Sequence, residues 1–265
     1  MSVINVDGAA LAYEETGSGP PVLLVHGTAA NQWGELPGML ATDHRVITYD
    51  RRSFGRSKAP PPTDLGRHAE DLAALARETA AGPAKIVGWS VGGVVALELT
   101  VSHPELVSAL VLIEPPLHAK RRPTLRQARA VLRAQLLGRL GRQRRGAEVF
   151  LRWAGRRTDG EGDLDRMPAI AREELLANSS AIVHELGLGT GEHLSAEQLG
   201  QIRAPVICLV SSHSEPAFHK AADRLVAMVP AMRRQVVDNA GHFMQLDRSD
   251  AIAHAVREVA ASRSV

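Results

Sequence analysis

The chain has 265 residues, of which 45% are apolar and 23% charged, so it is long enough to bury one large hydrophobic core. A formal net charge of +2 argues against nucleic acid as the main partner. Cys208 is the only cysteine, which excludes an intramolecular disulfide and a zinc ion held by several cysteines. It lies in an apolar run, residues 206–210, and is interpreted as a small buried hydrophobic residue.

The N-terminal residues show no basic segment followed by an apolar one, and no apolar run reaches the length of a membrane span. We therefore expect a cytoplasmic protein without a signal peptide and without stable insertion in a membrane. The sequence contains no spacing of metal ligands and no phosphate-binding loop, so we expect neither a metal nor a cofactor.

Strands and helices alternate in the first 80 residues. Predicted strands occupy residues 2–6, 11–15, 22–25 and 45–49, and predicted helices occupy residues 32–40 and 65–80. The first two strands surround Asp7-Gly8, a hairpin turn signal. The next two are short apolar runs of the kind that is buried on both faces of a parallel sheet.

A G-x-S-x-G pattern at residues 88–92 follows the next apolar run and precedes a helix-forming one. This succession of strand, tight turn and helix is typical of a nucleophile elbow, with Ser90 at its apex. The turn forces the serine into a strained backbone conformation, and glycines on either side avoid collisions that larger residues would cause. We expect the Ser90 hydroxyl to project above the sheet, with the amide of Val91 directed into the same space.

The alternation continues through a predicted strand at residues 107–113 and then stops. Residues 117–195 contain only helical patches separated by glycines. Strand and helix patterns resume with strands at 206–210 and 235–237 and helices at 216–229 and 250–262. This order predicts an α/β fold with a mostly parallel sheet and helices on both faces. We assign residues 1–116 and 196–265 to a core domain and residues 117–195 to an inserted helical cap.

Four segments give the chain a resemblance to the α/β-hydrolases with a helical cap: His26-Gly27, residues 50–57, residues 88–92 and Ala240-Gly241-His242-Phe243. The segments occur in the order and spacing of that family. The resemblance implies an eight-stranded, mostly parallel sheet, and it covers the core but not the cap. Residues 50–57 match a loop that supports the site in this family, and we assign them no chemistry.

Ser90 and His242 are the candidate nucleophile and base. A serine hydroxyl is a poor nucleophile at neutral pH and needs an adjacent base. His242 lies in a glycine-containing loop near the C-terminus, which fits the family order of nucleophile, acid and histidine. The resemblance also implies that the backbone amides of Thr28 and Val91 form the oxyanion hole and that His26 supports that loop.

The carboxylate that would orient His242 has three candidates. Glu114 directly follows the last strand before the cap, where some α/β-hydrolases place their acid. The loop after the first strand beyond the cap is the usual position in the family, but it holds no Asp and offers Glu215, whose alternative role is a carboxylate at a helix N-terminus. Asp238 is the third candidate. The zearalenone lactonases resemble this chain in the Glu at position 114, the missing Asp and the overall length, and we favour Glu114.

The predicted cap is uneven in charge and contains a basic amphipathic helix. Residues 119–157 hold thirteen Lys or Arg and one acid, and residues 158–195 hold two Arg and eight acids. One helix face carries apolar residues at positions 125, 128, 131, 132, 136 and 140. We expect this stripe to pack on the core with the arginines in water; the alternative is contact with a membrane surface or attraction of an acidic substrate. Trp153 either lines the pocket or fixes the cap.

These observations predict a serine hydrolase that cleaves a carboxylic ester or lactone, including a zearalenone-type macrolactone, through an acyl-enzyme. An Asp at position 90 would have indicated dehalogenation or epoxide opening, and Ser90 removes both. The alternatives are a hydrolase of C–C bonds in ring-cleavage products, a receptor-like ligand-binding protein with slow turnover, and a membrane-surface protein. The expected partner is a small apolar ester or lactone, and a homodimer is left open.

Overall fold

The computed structural model describes residues 1–117, 123–189 and 194–259. The strands in these residues are β1 (Ser2–Val6), β2 (Ala9–Thr16), β3 (Pro21–Val25), β4 (Arg45–Tyr49), β5 (Ala84–Trp89), β6 (Val107–Ile113), β7 (Val206–Ser211) and β8 (Met232–Val237). The helices are α1 (Leu36–Leu40), α2 (Gly66–Thr79), α3 (Val91–Ser102), α4 (Leu125–Arg139), α5 (Gln143–Ala154), α6 (Asp163–Arg166), α7 (Ala169–Ala177), α8 (Ser179–Glu185), α9 (Ala196–Gly200), α10 (Pro216–Met228), α11 (Met244–Asp247) and α12 (Ser249–Glu258).

The described strands form one eight-stranded sheet in the order β1-β2-β4-β3-β5-β6-β7-β8. The pairs β1–β2 and β2–β4 are antiparallel, and every later pair, from β4–β3 to β7–β8, is parallel. The carboxyl ends of the parallel strands therefore lie at one edge of the sheet, and the loops that follow them meet there. The predicted eight-stranded, mostly parallel sheet is confirmed.

Helices cover both faces of the sheet because side chains along each central strand alternate between two hydrophobic clusters. In β3, Val22 and Leu24 belong to the cluster that includes α1 and α12, whereas Leu23 and Val25 belong to the cluster that includes α2, α3 and α10. Cys208 of β7 lies in the second cluster and is fully buried, as predicted. Burial raises the pKa of its thiol to about 12.

Helices α4 to α8 form a helical insertion between β6 and β7, and residues 123–189, the described part of this insertion, contain no strand. Leu151, Leu175 and Ile182 of the insertion are buried in the same hydrophobic cluster as Ile113 and Phe243 of the sheet domain. The division into a core at 1–116 and 196–265 and a separate cap at 117–195 stays a prediction. Residues 118–122, 190–193 and 260–265 of those ranges lie outside the described residues.

Four leucines of the predicted apolar stripe are exposed, whereas Ala128 and Val131 of the same stripe are half-buried, so the prediction that the whole stripe packs on the core is wrong. The exposed fractions are 77% for Leu125, 65% for Leu132, 56% for Leu136 and 63% for Leu140. The buried positions of α4 include Ala130 and Ala134, and a Cβ added to Gly146 of α5 would lie 2.6 Å from the backbone oxygen of Ala134. Only small side chains fit between helices this close, so the large ones occupy the outer face.

Three elements differ from their predicted bounds by three residues or more at one end. The helix predicted at 32–40 begins at Leu36, because Pro37 suits the first turn of a helix. The strand predicted at 235–237 begins at Met232. The helix predicted at 250–262 begins at Ser249 and ends at Glu258, and residues 260–262 lie outside the described part of the chain. Within that described part, no helix combines the length and hydrophobicity needed to cross a membrane.

The substitution Gly146→Ala tests the close packing of α4 on α5. Its Cβ would overlap the backbone oxygen of Ala134, which forces the two helices apart. We expect the free energy of unfolding to fall by about 1–3 kcal/mol in a urea titration. The control is Gly38→Ala in α1, where a Cβ meets no atom within 4 Å and alanine is expected to stabilise the helix by about 0.5–1 kcal/mol. Equal losses in the two variants would contradict the packing argument.

Candidate active site

Ser90 occupies the sharp turn between β5 and α3. Its φ of 53° and ψ of −124° lie outside the common regions for a residue with a side chain, and such a conformation costs about 1–3 kcal/mol. The Ser90 amide donates a hydrogen bond to the backbone oxygen of Ile113 at 2.8 Å. A Cβ at Gly88 would lie 2.6 Å from the backbone oxygen of Gly92, and one at Gly92 would overlap that of Val25. The turn therefore requires both glycines, as predicted.

His242 lies between β8 and α11, with its ring beside Ser90. The Nε2 atom is 3.2 Å from Ser90 Oγ. The imidazole stacks on the ring of Phe218, with centroids 4.0 Å apart and planes 10° apart. Trp89 Nε1 donates a hydrogen bond to the backbone oxygen of His242 at 2.9 Å. Ring stacking and this hydrogen bond together fix the orientation of the imidazole.

Glu114 directly follows β6 and is fully buried, with a positive φ of 48°. Its Oε2 atom is 2.6 Å from Nδ1 of His242. Its Oε1 atom accepts a hydrogen bond from the backbone amide of Ser211 at 2.7 Å. The structure thus brings Ser90, His242 and Glu114 into one hydrogen-bonded series, which we call the triad. Both oxygens of the carboxylate have a partner, so its position is fixed.

The other two candidate acids have different partners. Glu215 Oε1 accepts hydrogen bonds from Arg156 at 2.8 Å and from Arg126 at 3.5 Å, both in the insertion. Burial raises the pKa of Glu215, against the opposing effect of the Arg126 charge. Asp238 is exposed, and its backbone oxygen accepts a hydrogen bond from Arg248 at 2.8 Å. Neither carboxylate contacts His242 in the described residues.

Thr28 and Val91 line the same cavity as Ser90 and His242. Val91 is the first residue of α3, and the first amide of a helix has no acceptor within that helix. His26 is buried in the loop before Thr28. Its Nε2 accepts a hydrogen bond from the Arg51 amide at 2.9 Å, and its Nδ1 is 2.8 Å from the Gly27 oxygen. Both ring nitrogens thus contact backbone atoms, as expected for a residue that supports the loop before Thr28.

A cavity of about 660 Å³ lies above Ser90. Its walls are apolar and come from both the sheet domain and the insertion; they include Trp89, Phe218, Phe243, Val131, Phe150 and Trp153. The described lining residues include no Lys or Arg. Among the described residues, no group of three or more His, Cys, Asp or Glu side chains could hold a metal ion. The described walls are therefore suited to contact with an apolar ligand.

Trp153 lines this cavity, one of the two roles considered for it. Its ring lies between Phe150 and Phe218, with centroid distances of 5.8 Å and 5.9 Å. The indole Nε1 is buried and has no hydrogen-bond acceptor among the described residues. A buried donor without an acceptor beside an apolar cavity is suited to bind an oxygen atom of a ligand.

Two buried carboxylates of the insertion, which the sequence analysis did not identify, reach loops of the site. Asp163 of α6 accepts a hydrogen bond from the Phe243 amide at 3.1 Å and one from Arg157 at 3.2 Å. Burial raises the pKa of Asp163. Glu185 of α8 accepts hydrogen bonds from Arg51 at 2.5 Å and 3.0 Å. Since Glu185 and Arg51 are 134 residues apart, no local pattern marks the pair.

Comparison with known proteins gives a family match over most of the chain. A family model described as "Alpha/beta hydrolase family" matches residues 22–255. The 2-hydroxy-6-oxo-6-(2'-aminophenyl)hexa-2,4-dienoic acid hydrolase of Metapseudomonas resinovorans is 35% identical over 119 residues, which are 42% of this chain and 40% of that protein. The match to curated relatives thus spans less than half of their length.

Solved structures match over nearly the whole chain. A thermophilic esterase from Thermogutta terrifontis has a TM-score of 0.78 and 25% identity, with coverage of 94% of this chain and 92% of that chain. The enol-lactonase from Burkholderia xenovorans LB400 has a TM-score of 0.79 and 18% identity, with coverage of 97% and 99%. Because its identity is only 18%, the similarity to the enol-lactonase shows a shared fold and nothing more.

The substitution His26→Gln tests whether this histidine stays neutral. Burial, aided by the Arg51 charge, lowers the pKa of His26 well below its usual 6.5. Below about pH 6.5 the unfolded chain therefore takes up a proton that the folded protein does not, so the stability contributed by His26 is lost as the pH falls. Between pH 7.5 and pH 5, wild type should lose about 2 kcal/mol more unfolding free energy than His26→Gln.

The control for this measurement is His254→Gln, because the side chain of His254 is 79% exposed. Its unfolding free energy should follow that of wild type across the same pH range. If the unfolding free energy of His26→Gln also follows that of wild type, the prediction that His26 stays neutral is wrong.

Proposed function

Because the chain belongs to the alpha/beta hydrolase family, we propose that it is a serine hydrolase that cleaves a carboxylic ester or lactone through an acyl-enzyme. The observation that carries this proposal is the hydrogen-bonded triad of Ser90, His242 and Glu114 beside an apolar cavity. A hydroxyl, an imidazole and a carboxylate in this order are the components of nucleophilic acyl transfer.

In the proposed reaction, His242 Nε2 accepts the proton of Ser90 as the serine oxygen attacks the carbonyl carbon. The oxyanion that forms accepts hydrogen bonds from the amides of Thr28 and Val91. His242 then donates the proton to the leaving alcohol oxygen, and the acyl group remains on Ser90. A water molecule, deprotonated by His242, then attacks the acyl carbon; the bond to Ser90 Oγ breaks, His242 returns the proton to Ser90, and the carboxylic acid is released. In a lactone the alcohol and the acid remain parts of one molecule.

We assign the role of the acid to Glu114. Its 2.6 Å distance to Nδ1 supports this role, because a proton on Nδ1 leaves Nε2 free to accept the proton of Ser90. The hydrogen bonds of Glu215 to two arginines argue for a structural role of that residue. An acid Glu directly after β6 is also the feature shared with the zearalenone lactonases, and we propose that the chain belongs to that subgroup.

The proposed substrate is an apolar ester or lactone, including a zearalenone-type macrolactone. The lining supports this class because it is apolar and aromatic and its described part lacks a cationic side chain. We propose that Trp153 Nε1 donates a hydrogen bond to a second oxygen of the substrate, since this donor is buried and has no acceptor among the described residues. The helical insertion would then act as a cap that supplies one wall of the pocket.

A second candidate is the hydrolysis of C–C bonds, favoured by the partial match to the dienoic acid hydrolase of M. resinovorans. The substrate in the name of that relative is a carboxylic acid, and such an acid is ionised at neutral pH. The described lining of this cavity offers Glu185 and no Lys or Arg to such an anion. The charge of the lining therefore favours a neutral ester or lactone over a dienoate.

The decisive experiment measures hydrolysis of p-nitrophenyl esters and aryl lactones, including zearalenone, by wild type, Ser90→Ala, Glu114→Gln and Glu215→Gln. Glu114→Gln keeps the shape of the side chain but cannot hold the charge that stabilises the imidazolium. We expect kcat to fall by about 10²–10⁴-fold in Glu114→Gln and further in Ser90→Ala. Glu215→Gln is the matched control and should stay within a few-fold of wild type.

Two results would contradict this assignment. Loss of kcat in Glu215→Gln, with activity kept in Glu114→Gln, would assign the acid to the later loop and remove the basis for the lactonase subgroup. A wild type that binds these esters without turnover, and whose Ser90 does not react with a fluorophosphonate, would favour the receptor-like alternative.

A further inference from the structure

We propose that the buried ion pair between Arg51 and Glu185 positions the amide of Thr28 for oxyanion binding, so that the helical insertion completes the catalytic machinery. The inference rests on the proposed serine hydrolase function and extends it to two positioning residues outside the triad. One of them comes from the loop after β4 and the other from α8 of the insertion.

The ion pair is connected directly to the loop that ends at Thr28. The guanidinium of Arg51 donates two hydrogen bonds to Glu185, at 2.5 Å and 3.0 Å. Its Nη2 atom also donates to the backbone oxygen of Gly27 at 2.8 Å. Arg51 is fully buried and the side chain of Glu185 is 2% exposed, so both groups are almost completely removed from bulk water, although Glu185 also borders the cavity.

The oxygen of Gly27 and the amide of Thr28 belong to the same peptide group. This group is planar, and the described chain contains no cis peptide bond, so the carbonyl and the amide point in opposite directions. A donor that holds the Gly27 oxygen therefore also sets the direction of the Thr28 amide. The oxygen contacts three donor groups: Arg51 Nη2, the Ala29 amide at 2.8 Å and His26 Nδ1 at 2.8 Å.

Arg51 depends on Glu185 for its own position. A buried guanidinium without an anion is unstable, so removal of the Glu185 charge is expected to move Arg51 or to draw water to it. Burial disfavours the ionised carboxylate of Glu185, but the Arg51 charge, His68 Nε2 at 3.2 Å and the hydrogen bonds from Arg51 hold its pKa well below the usual range. Glu185 is therefore charged at the pH values at which enzymes are assayed.

A neighbouring ion pair provides a matched control. Arg52 donates two hydrogen bonds to Asp71 of α2, both at 2.7 Å, and the two side chains are 5% and 1% exposed. This pair also joins an arginine to a carboxylate and is similarly buried, its arginine is adjacent in the chain to Arg51, and Asp71 also accepts a hydrogen bond from Arg67 at 3.1 Å. Among the described residues, this pair has no hydrogen bond to Gly27 or Thr28; Arg52 also donates to the backbone oxygen of Val6 at 3.5 Å. Loss of either pair should affect stability, but only loss of the first should affect oxyanion binding.

The experiment compares Glu185→Gln and Arg51→Lys with Asp71→Asn. For each folded variant, kcat and KM are measured on a p-nitrophenyl ester, together with the Kd of an alkyl boronic acid, whose tetrahedral adduct with Ser90 mimics the oxyanion. Thermal unfolding gives the stability of each variant. Lys is a second test because it keeps the charge but cannot bind Glu185 and the Gly27 oxygen in the same forked geometry.

We expect kcat to fall about tenfold or more in Glu185→Gln and Arg51→Lys, with a rise of the same size in the boronate Kd. KM should stay within about threefold of wild type, because a misaligned oxyanion donor weakens binding of the transition state and not of the substrate. Asp71→Asn should lower the unfolding temperature while keeping kcat and the boronate Kd near wild type.

Several outcomes would overturn the proposal. An equal fall of kcat in Asp71→Asn would mean that any buried ion pair in this region has the same effect. A rise of KM with an unchanged kcat in Glu185→Gln would make Glu185 a substrate contact instead. An unchanged boronate Kd in Glu185→Gln, with wild type active and Ser90 reactive, would reject the positioning role and leave the proposed function intact. An inactive wild type with unreactive Ser90 would reject both.

Discussion

The close approach of helix α3 to the end of strand β3 is the constraint on which the site depends. No side chain fits at Gly92, because a Cβ there would overlap the backbone oxygen of Val25. The same approach places Ser90 next to the loop after β3, where a Cβ at Gly27 would lie 2.9 Å from the Cβ of Ser90. Ser90 therefore packs against Gly27, the residue before Thr28, because two glycines allow backbone to pack on backbone.

The triad and its surroundings are shared between the sheet domain and the helical insertion. The sheet positions Ser90, His242 and Glu114, since each follows a strand that ends at the same edge. The insertion contributes two buried carboxylates. Glu185 accepts hydrogen bonds from Arg51, and Asp163 accepts a hydrogen bond from the backbone amide of Phe243, the residue after His242. Buried carboxylates with charged or amide partners are costly to displace. The insertion is thus bound to Arg51, which contacts Gly27, and to Phe243, which follows His242, and it also supplies a wall of the cavity.

Local patterns predicted a mostly parallel sheet and the elbow at Ser90, and the family resemblance added the eight strands, His242 and, among three candidates, Glu114. The reason is that parallel strands bring the residues that follow them to one edge, whatever lies between them in the chain. Glu185 was not predictable, because its pairing with Arg51 arises only when the insertion packs on the core. The outward direction of the α4 leucines was missed for a related reason. An amphipathic pattern shows that a helix has two faces, but the small residues of the neighbouring helix decide which face packs.

Cys208 has a practical consequence for work on the insertion. The thiol is fully buried in β7, and its pKa of about 12 leaves almost no thiolate at neutral pH. Because the sequence contains no other cysteine, thiol reagents have no reactive target on the native surface. A single cysteine introduced at the exposed Leu136 of α4 would therefore carry a fluorophore or spin label without prior removal of the natural one. The protein in its native sequence is thus already suited to spectroscopic distance measurements between the helical insertion and a ligand.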